Sequence, residues 1–270
     1  MTVKSKQDRQ ISNLMAIVRN GGFDFTDTFF PYTSGKIGPY YIQGAVVQNS
    51  ARDYRAACDS MTEVASEEVP MGKIGVIAGG ETRDWMFSFP LADRLEKRHM
   101  MIYKDGKVRG AKNLDGAKVL HVADLNNEGS SPREQWVPAI REAEGEINHI
   151  LFYVDRLEGG NRVMEEMGLE RHVVVPLDEY AWNYLREQEV VGEETYKNIR
   201  ERMEGKDEWA RKMLGSERGL ETLAELVHSR TDKAINILYN GYPDMREELI
   251  DAMNDRGMIT RGKLIAIRER

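Results

Sequence analysis

The chain has 270 residues, 41% hydrophobic and 31% charged, a composition that buries a core without disulfides and excludes disordered and fibrous classes. Its 38 basic and 45 acidic residues leave a formal charge of -7, which disfavours nucleic acid and anionic membrane as partners, since both recruit through a basic excess. The single cysteine, Cys58, excludes an internal disulfide or a thiolate metal cluster, and the five histidines show no ligand spacing. The polar start MTVKSKQDRQ and the lack of a long apolar run predict a cytoplasmic chain with no membrane span.

Ile11, Leu14, Met15, Ile17 and Val18 fall at helical spacing and end at Asn20-Gly21-Gly22, which predicts an amphipathic helix with a glycine stop. An aromatic, turn-rich stretch over 23–50 follows. Tyr54, Ala57, Cys58, Met61 and Val64 then share one stripe of a second helix, so Cys58 is expected in the core. From Lys73 onward, short apolar runs (74–77, 100–103, 118–123, 149–154 and 172–176) alternate with helical segments (84–97, 132–144 and 160–168). That alternation predicts an α/β fold with a parallel sheet covered by helices on both faces. Ligands of such sheets sit outside the carboxyl ends of the strands, which points to the loops after Ile77, Tyr103, Ala123 and Val154. Beyond Leu177 only helices are predicted, over 178–188, 193–214, 217–229, 231–240 and 244–256. Tyr196, Ile199, Met203, Leu220, Leu223, Leu226 and Val227 form their packing stripes, and Asp244 is expected to cap the last of them.

The most informative segment is Val119-Leu-His-Val-Ala-Asp-Leu-Asn-Asn-Glu-Gly-Ser-Ser-Pro132. An apolar strand ends in the carboxylate of Asp124, a short polar loop with Gly129 follows, and Ser131-Pro132 opens a helix with a capping residue and a proline at its first position. Such a loop aims backbone N–H groups at an anion and suits a phosphate, although it lacks the Gly-Lys-Ser/Thr ending of a Walker loop. The same residues also suit an ordinary strand-end turn. Lys104, Lys107 and Arg109 place three cations within six residues, with glycines at 106 and 110, which fits either a mobile anion-binding loop or a solvated charged hairpin.

The segment 119–132 resembles the phosphoribosyl pyrophosphate (PRPP) signature of type I phosphoribosyltransferases, and four further segments in order are similar to orotate phosphoribosyltransferases. Phe30-Pro-Tyr-Thr-Ser-Gly-Lys-Ile-Gly-Pro-Tyr-Tyr-Ile42 resembles that family's amino-terminal segment, Ile77-Ala-Gly-Gly-Glu-Thr82 its pyrophosphate loop, Lys104-Asp-Gly-Lys-Val-Arg-Gly110 its mobile loop, and Asp155-Arg156 the pair after the next strand. The resemblance implies the type I phosphoribosyltransferase fold over 1–205, with an N-terminal hood over about 1–50, a core over about 51–177 and closing helices over 178–205, and a helical extension over 206–270. It implies transfer of ribose 5-phosphate from PRPP to orotate, giving orotidine 5'-monophosphate and pyrophosphate, with Mg²⁺ and in a homodimer. Lys107, Asp124 and Arg109 would then be catalytic. Lys104, Arg83, Thr82, Asn126, Asn127, Glu128, Gly129, Ser130 and Ser131 would bind PRPP, and Tyr41, Lys36 and Arg156 the orotate. Asp124 would meet the metal indirectly, through PRPP.

The chain departs from the family pattern mainly at the PRPP segment. Ala123 replaces the first acid of a pair, Asn126-Asn127 replace threonines, Arg109 replaces a histidine, and Arg83-Asp84-Trp85 follow the pyrophosphate loop where small residues are usual. Two other readings therefore accompany the first. One is a non-catalytic PRPP- or nucleotide-binding regulatory protein on the same fold; the other is a phosphoribosyltransferase for a different base.

Overall fold

The computed structural model describes residues 5–268. Its contacts divide them into two compact units, Met1–Gly22 with Gln43–Tyr184 and Phe23–Ile42 with Leu185–Arg270. The units are drawn differently from the boundaries read in the sequence, because the hairpin over 23–42 shares a hydrophobic core with the C-terminal helices.

The first unit opens with α1 (Lys6–Arg19), capped by Ser5, whose hydroxyl accepts the Asp8 N–H. It ends at Asn20, and Gly21 then takes the left-handed conformation that the glycine stop predicts. A 3-10 turn (Gly44–Asn49) leads into α2 (Ala51–Glu68), with Ala57, Cys58, Met61 and Val64 buried as expected. Burial pushes the Cys58 thiol up, consistent with a packing role.

The parallel sheet follows as predicted, with β3 (Ile74–Gly80), β4 (Arg98–Ile102), β6 (Lys118–Asn126), β7 (Glu146–Asp155) and β8 (Glu170–Pro176) in the order β4-β3-β6-β7-β8. A short strand β5 (Val108–Gly110), absent from the sequence reading, adds to the β4 edge antiparallel. Alternate residues face opposite ways. Val76, Ala78, Ala123, Ile150 and Phe152 pack against α4 (Val137–Glu142) and α5 (Gly160–Glu166) in one cluster with Trp136, Ile140 and Met164. Tyr153, on the other face, stacks on Phe87 of α3 (Trp85–Arg94) at 4.7 Å and donates to Asn13 of α1 at 3.2 Å. Helix α3 crosses between β3 and β4 on this face, whereas the chain leaves β6 toward α4 on the other. The strand order therefore reverses at β3 and β6, and a crevice opens beyond their carboxyl ends.

The second unit contains β1 (Phe23–Pro31) and β2 (Ile37–Ile42), an antiparallel hairpin with a bulge between Phe25 and Phe30. By sequence this stretch reads as turn-rich, because its burial does not alternate cleanly. Phe29 and Ile37 join Trp209, Leu214, Leu220, Leu223, Val227, Ile237, Leu249 and Ile250 in a core of their own. The helices supplying it are α7 (Glu193–Glu204), α8 (Lys206–Gly215), α9 (Glu217–Ser229), α10 (Thr231–Asn236), α11 (Arg246–Asp255) and α12 (Arg261–Arg268); α6 (Glu179–Glu187) contains the division between units.

Three expectations in this region are corrected. The helix predicted over 193–214 breaks at Gly205, which serves as the end of α7 and the start of α8. Met203 is exposed, and its neighbour Arg202 turns inward instead, donating from Nε to the Ile37 carbonyl at 3.3 Å with its guanidinium over the Tyr32 and Trp209 rings. Asp244 does not cap α11; its carboxylate is taken by Arg211 at 2.5 Å.

Gly35, in the β1–β2 turn, has a φ of +81°, and a Cβ there would lie 2.6 Å from the Asn236 carbonyl oxygen and 2.9 Å from the Gly241 nitrogen. Both obstacles are backbone, so Gly35→Ala is expected to cost about 2–3 kcal/mol, read as a lowered urea midpoint of unfolding.

Candidate functional site

Two side chains determine the geometry at the β3–β6 crevice. Asp84, 8% exposed, accepts from the Gly80 N–H with Oδ2 at 3.1 Å and from the Asp124 N–H with Oδ1 at 2.9 Å, tying the ends of the two strands together. Trp85, standing where small residues are usual, turns out of the loop: its indole donates to the Gly79 carbonyl at 2.9 Å and meets the Tyr103 ring edge-on at 5.0 Å. The departure Arg83-Asp84-Trp85 therefore builds the crevice. The sequence reading assigned Asp84 no role, and a carboxylate four residues beyond a strand-end glycine was its only trace.

Asp124 lies within β6, which runs three residues further than the predicted strand. It is 2% exposed, and its Oδ1 has no hydrogen-bond partner. A Cβ on Gly44 would come within 2.7 Å of that oxygen, so the glycine is what admits the carboxyl beneath the 3-10 turn. Burial, and then the negative charge of Asp84, push the Asp124 carboxyl up to about 7, with Arg83 and the Ala45 backbone opposing. A buried acceptor of this kind is completed by a donor or a cation.

The chain then turns through Asn126-Asn127-Glu128-Gly129. Asn126, also buried, donates to Asp155 at 3.1 Å, and the Asn127 carbonyl accepts from the Gly160 N–H at 3.1 Å, binding the loop to the start of α5. Gly129 has a φ of +75°, and a Cβ there would meet Val163 at 2.8 Å. Ser131 has helical backbone angles and makes no side-chain cap bond, a correction to its expected capping role, although Pro132 does begin the helical turn. The first helical turn after the loop is wound as a π-helix (Pro132–Trp136) and continues directly into α4.

Lys104, Lys107 and Arg109 belong to the β4–β5 hairpin, closed by the Tyr103 N–H to Lys107 carbonyl bond at 2.9 Å. Glu81, in the loop after β3, accepts the Lys104 N–H at 2.9 Å. Lys104, Ser130 and Ser131 line one cleft of about 630 Å³ together with Gly106 and Gln135. Thr82 lines a second cleft, of about 650 Å³, with Tyr54, Trp85 and Phe89. Lys107 pairs with its neighbour Asp105 at 2.5 Å, and the Arg109 guanidinium sits 5.8 Å from the Tyr103 ring centroid.

Arg156 and Asp155 do not pair with each other. Asp155 is taken by Arg171 and by the Leu157 N–H, and Arg156 by Glu158 at 2.6 Å, with both side chains of that second pair buried. Arg156 also donates to Asn127 at 3.4 Å, so it touches the loop after β6. Lys36 and Tyr41 lie in the second unit. Lys36 donates to the Gly241 carbonyl at 3.1 Å and lies over the Tyr242 ring, while Tyr41 is half-buried on β2 opposite Asp24. Within the first unit the structure thus gathers Thr82, Arg83, Lys104, Asp124, Asn126, Asn127, Glu128, Gly129, Ser130, Ser131 and Arg156 around the carboxyl ends of β3, β4, β6 and β7.

His121 is a buried polar side chain that sequence reading missed. Its ring stacks on Trp136 at 4.1 Å, both nitrogens lack hydrogen-bond partners, and Nε2 lies 3.7 Å from Asp84. Burial pushes its pKa down, with Asp84 opposing, so the ring is held neutral behind the crevice. Nothing but its place in an apolar run marked it.

No family model matches the chain. It is 29% identical over 179 residues to the orotate phosphoribosyltransferase of Sulfolobus acidocaldarius, covering 64% of this chain and 88% of that protein. It is 30% identical over 156 residues to the orotate phosphoribosyltransferase of Sinorhizobium medicae, covering 55% of this chain and 67% of that one. The chain belongs to the orotate phosphoribosyltransferase family. Solved structures agree on the fold. A UMP synthase from Leishmania donovani matches with a TM-score of 0.64 and 19% identity over 72% of this chain, which spans 42% of that longer protein. The orotate phosphoribosyltransferase of Aeropyrum pernix matches with a TM-score of 0.55 and 21% identity over 66% of this chain and 99% of its own. The type I phosphoribosyltransferase fold and the extra C-terminal helices are both as predicted. Among the described residues, no helix is long and apolar enough to cross a membrane.

Proposed function

We propose that this member of the orotate phosphoribosyltransferase family transfers ribose 5-phosphate from PRPP to N1 of orotate. The observation that carries the reading is the Asp124 carboxyl, buried with one oxygen unpartnered at the point where the sheet reverses, immediately before a glycine loop. In the reaction the bond from C1' to N1 forms as the bond from C1' to the pyrophosphate oxygen breaks, so positive charge grows on the ribose while a polyanion departs. The chain's task is therefore to position two substrates and to stabilise the leaving charge.

Asp124 would accept hydrogen bonds from the ribose hydroxyls, which supplies the partners its oxygen lacks. Backbone groups of 127–131, with Asn127 and Ser131 as side-chain donors, would hold the 5'-phosphate. Arg83, Lys104, Lys107 and Arg109 would face the pyrophosphate; Lys107 is exposed and tied only to its neighbour Asp105, so it can turn to an anion at little cost. An unpartnered carboxylate oxygen fits a divalent cation as well as hydroxyl donors. Mg²⁺ carried in by PRPP would be met through the ribose hydroxyls at Asp124, and when bound it neutralises leaving-group charge.

A second reading has its own observation. Arg156, the expected partner of the orotate carboxylate, is already in a buried pair with Glu158, which favours an uncharged acceptor base. Incubating the protein with PRPP and Mg²⁺ and either orotate or a neutral base, and following release of pyrophosphate, separates the two. Release with orotate is the expected result. Release only with the neutral base establishes the second reading, and PRPP binding without release under either condition means a binding protein. Lys107→Ala is expected to lower kcat about 10²-fold with little change in stability, and unchanged turnover would remove the hairpin from the site.

A further inference from the structure

At the opposite end of the sheet, two histidines judged from the sequence to have no ligand spacing come together. His149 of β7 stands opposite Glu170 in the register of β7 and β8, and His172, two residues on, returns to the same face. That face is covered by α1 and α2. Six residues separate His149 from the carboxyl end of β7, about 20 Å of extended strand, so the cluster is remote from Asp124 and Arg156.

His149 Nδ1 lies 3.2 Å from His172 Nε2 and 3.4 Å from Glu170 Oε2, and the three ligand atoms all fall within 4.8 Å of one another. Behind them His172 Nδ1 meets Glu68 Oε2 at 3.2 Å, and Glu68 is itself held by Lys6 at 2.5 Å. A carboxylate at Nδ1 keeps the His172 proton there, so its Nε2 presents a lone pair to His149. Two ring nitrogens at that separation need either a shared proton or a shared cation.

Four ligands placed about 2.0–2.1 Å around a tetrahedral ion are separated by about 3.4 Å, close to the two short edges present here. The third edge closes by rotation of the Glu170 side chain, which is 65% exposed and free to move. His172 is 3% exposed and oriented from behind by Glu68, the arrangement in which an outer carboxylate fixes a metal-bound imidazole. The charged and titratable groups facing His149 are Glu170, His172 and Lys118. Glu68 and Glu170 supply two negative charges against Lys6 and Lys118, so an incoming cation meets no net repulsion.

We propose that His149, Glu170 and His172 bind a first-row divalent transition ion such as Zn²⁺, with Glu68 orienting His172 and a water completing the shell. Two imidazoles and one carboxylate suit this class of ion better than Mg²⁺ or Ca²⁺, which take oxygen ligands. The ion would tie β7 to β8 and, through Glu68, to the end of α2, acting on stability and not on the transfer chemistry.

The test is calorimetric titration of chelator-treated protein with ZnCl₂, repeated with Co²⁺ to read the visible spectrum. One equivalent bound at a micromolar or lower Kd, four-coordinate Co²⁺ bands and a raised Tm are expected. His149→Ala should weaken binding at least tenfold. Glu170→Gln, at a side chain 65% exposed where substitution is expected to cost little stability, should weaken it as well, while Asp124→Asn should bind like the parent. Absence of saturable binding in the parent, or equal affinity in the first two variants, would show that the histidines form only a hydrogen-bonded pair. Loss of the ion in Asp124→Asn with retention in His149→Ala would place it at the other end of the sheet and overturn the proposal.

Discussion

Asp124→Asn is expected to make the free protein more stable at pH 8 and to lower PRPP-dependent turnover about 10³-fold, two effects of one buried carboxyl. Burial and Asp84 raise this group from an ordinary 3.8 to about 7. The folded protein therefore keeps a proton that the unfolded chain has already released, so this group's contribution to stability falls as pH rises from about 4 to about 7 and is level above. A shift of this size corresponds to a few kcal/mol, at about 1.4 kcal/mol per pH unit. Asparagine removes the titration while keeping the shape. Thermal unfolding of both proteins from pH 5 to pH 8 should show a gap opening in favour of the variant as pH rises. Parallel profiles would mean that the carboxyl does not titrate in that range, and retained turnover would remove it from the PRPP site.

Asp84→Ala is expected to destabilise the first unit by about 2–4 kcal/mol, because it strands the Gly80 and Asp124 N–H groups together, in a place with little access to water. Urea unfolding at pH 5, below the value of about 7 to which Asp124 is raised, keeps its carboxyl protonated in the parent and so limits the charge effect. Asp84→Asn keeps one acceptor oxygen and should cost about half as much. At pH 8 the alanine variant should recover part of its deficit, since removing the Asp84 charge eases ionisation of Asp124. An Asp84→Ala protein with an unchanged urea midpoint would mean that the tie between β3 and β6 does not hold the crevice.

What could be read in the sequence was whatever repeats along it. The helical stripe through Ala57, Cys58, Met61 and Val64, the five parallel strands and the glycine stop after α1 all follow from local periodicity and backbone preference, and all are present. Periodicity failed where burial is not one-sided. Hairpin β1–β2 has an irregular pattern that reads as turns, and the stripe that predicts burial of Met203 is filled by Arg202 instead. The segment that resembles the PRPP signature is legible because its residues are contiguous from Val119 to Pro132. Asp84 carries no such signal, since its two partners are backbone groups 4 and 40 residues away.

By itself, then, the sequence determined the α/β class, the strands and helices, the chain order of the segments that resemble the family's motifs, and the resemblance to a transferase family. Tertiary structure alone decided which carboxylate lies unpartnered at the reversal of the sheet, that Arg156 pairs with Glu158 and not with Asp155, and that His149 and His172 meet across β7 and β8. The physical reason is the same in each case. Strand and helix signals arise between residues a few positions apart, whereas a pKa, an ion pair or a ligand set depends on which distant groups the folded chain brings within a few ångströms and withdraws from water.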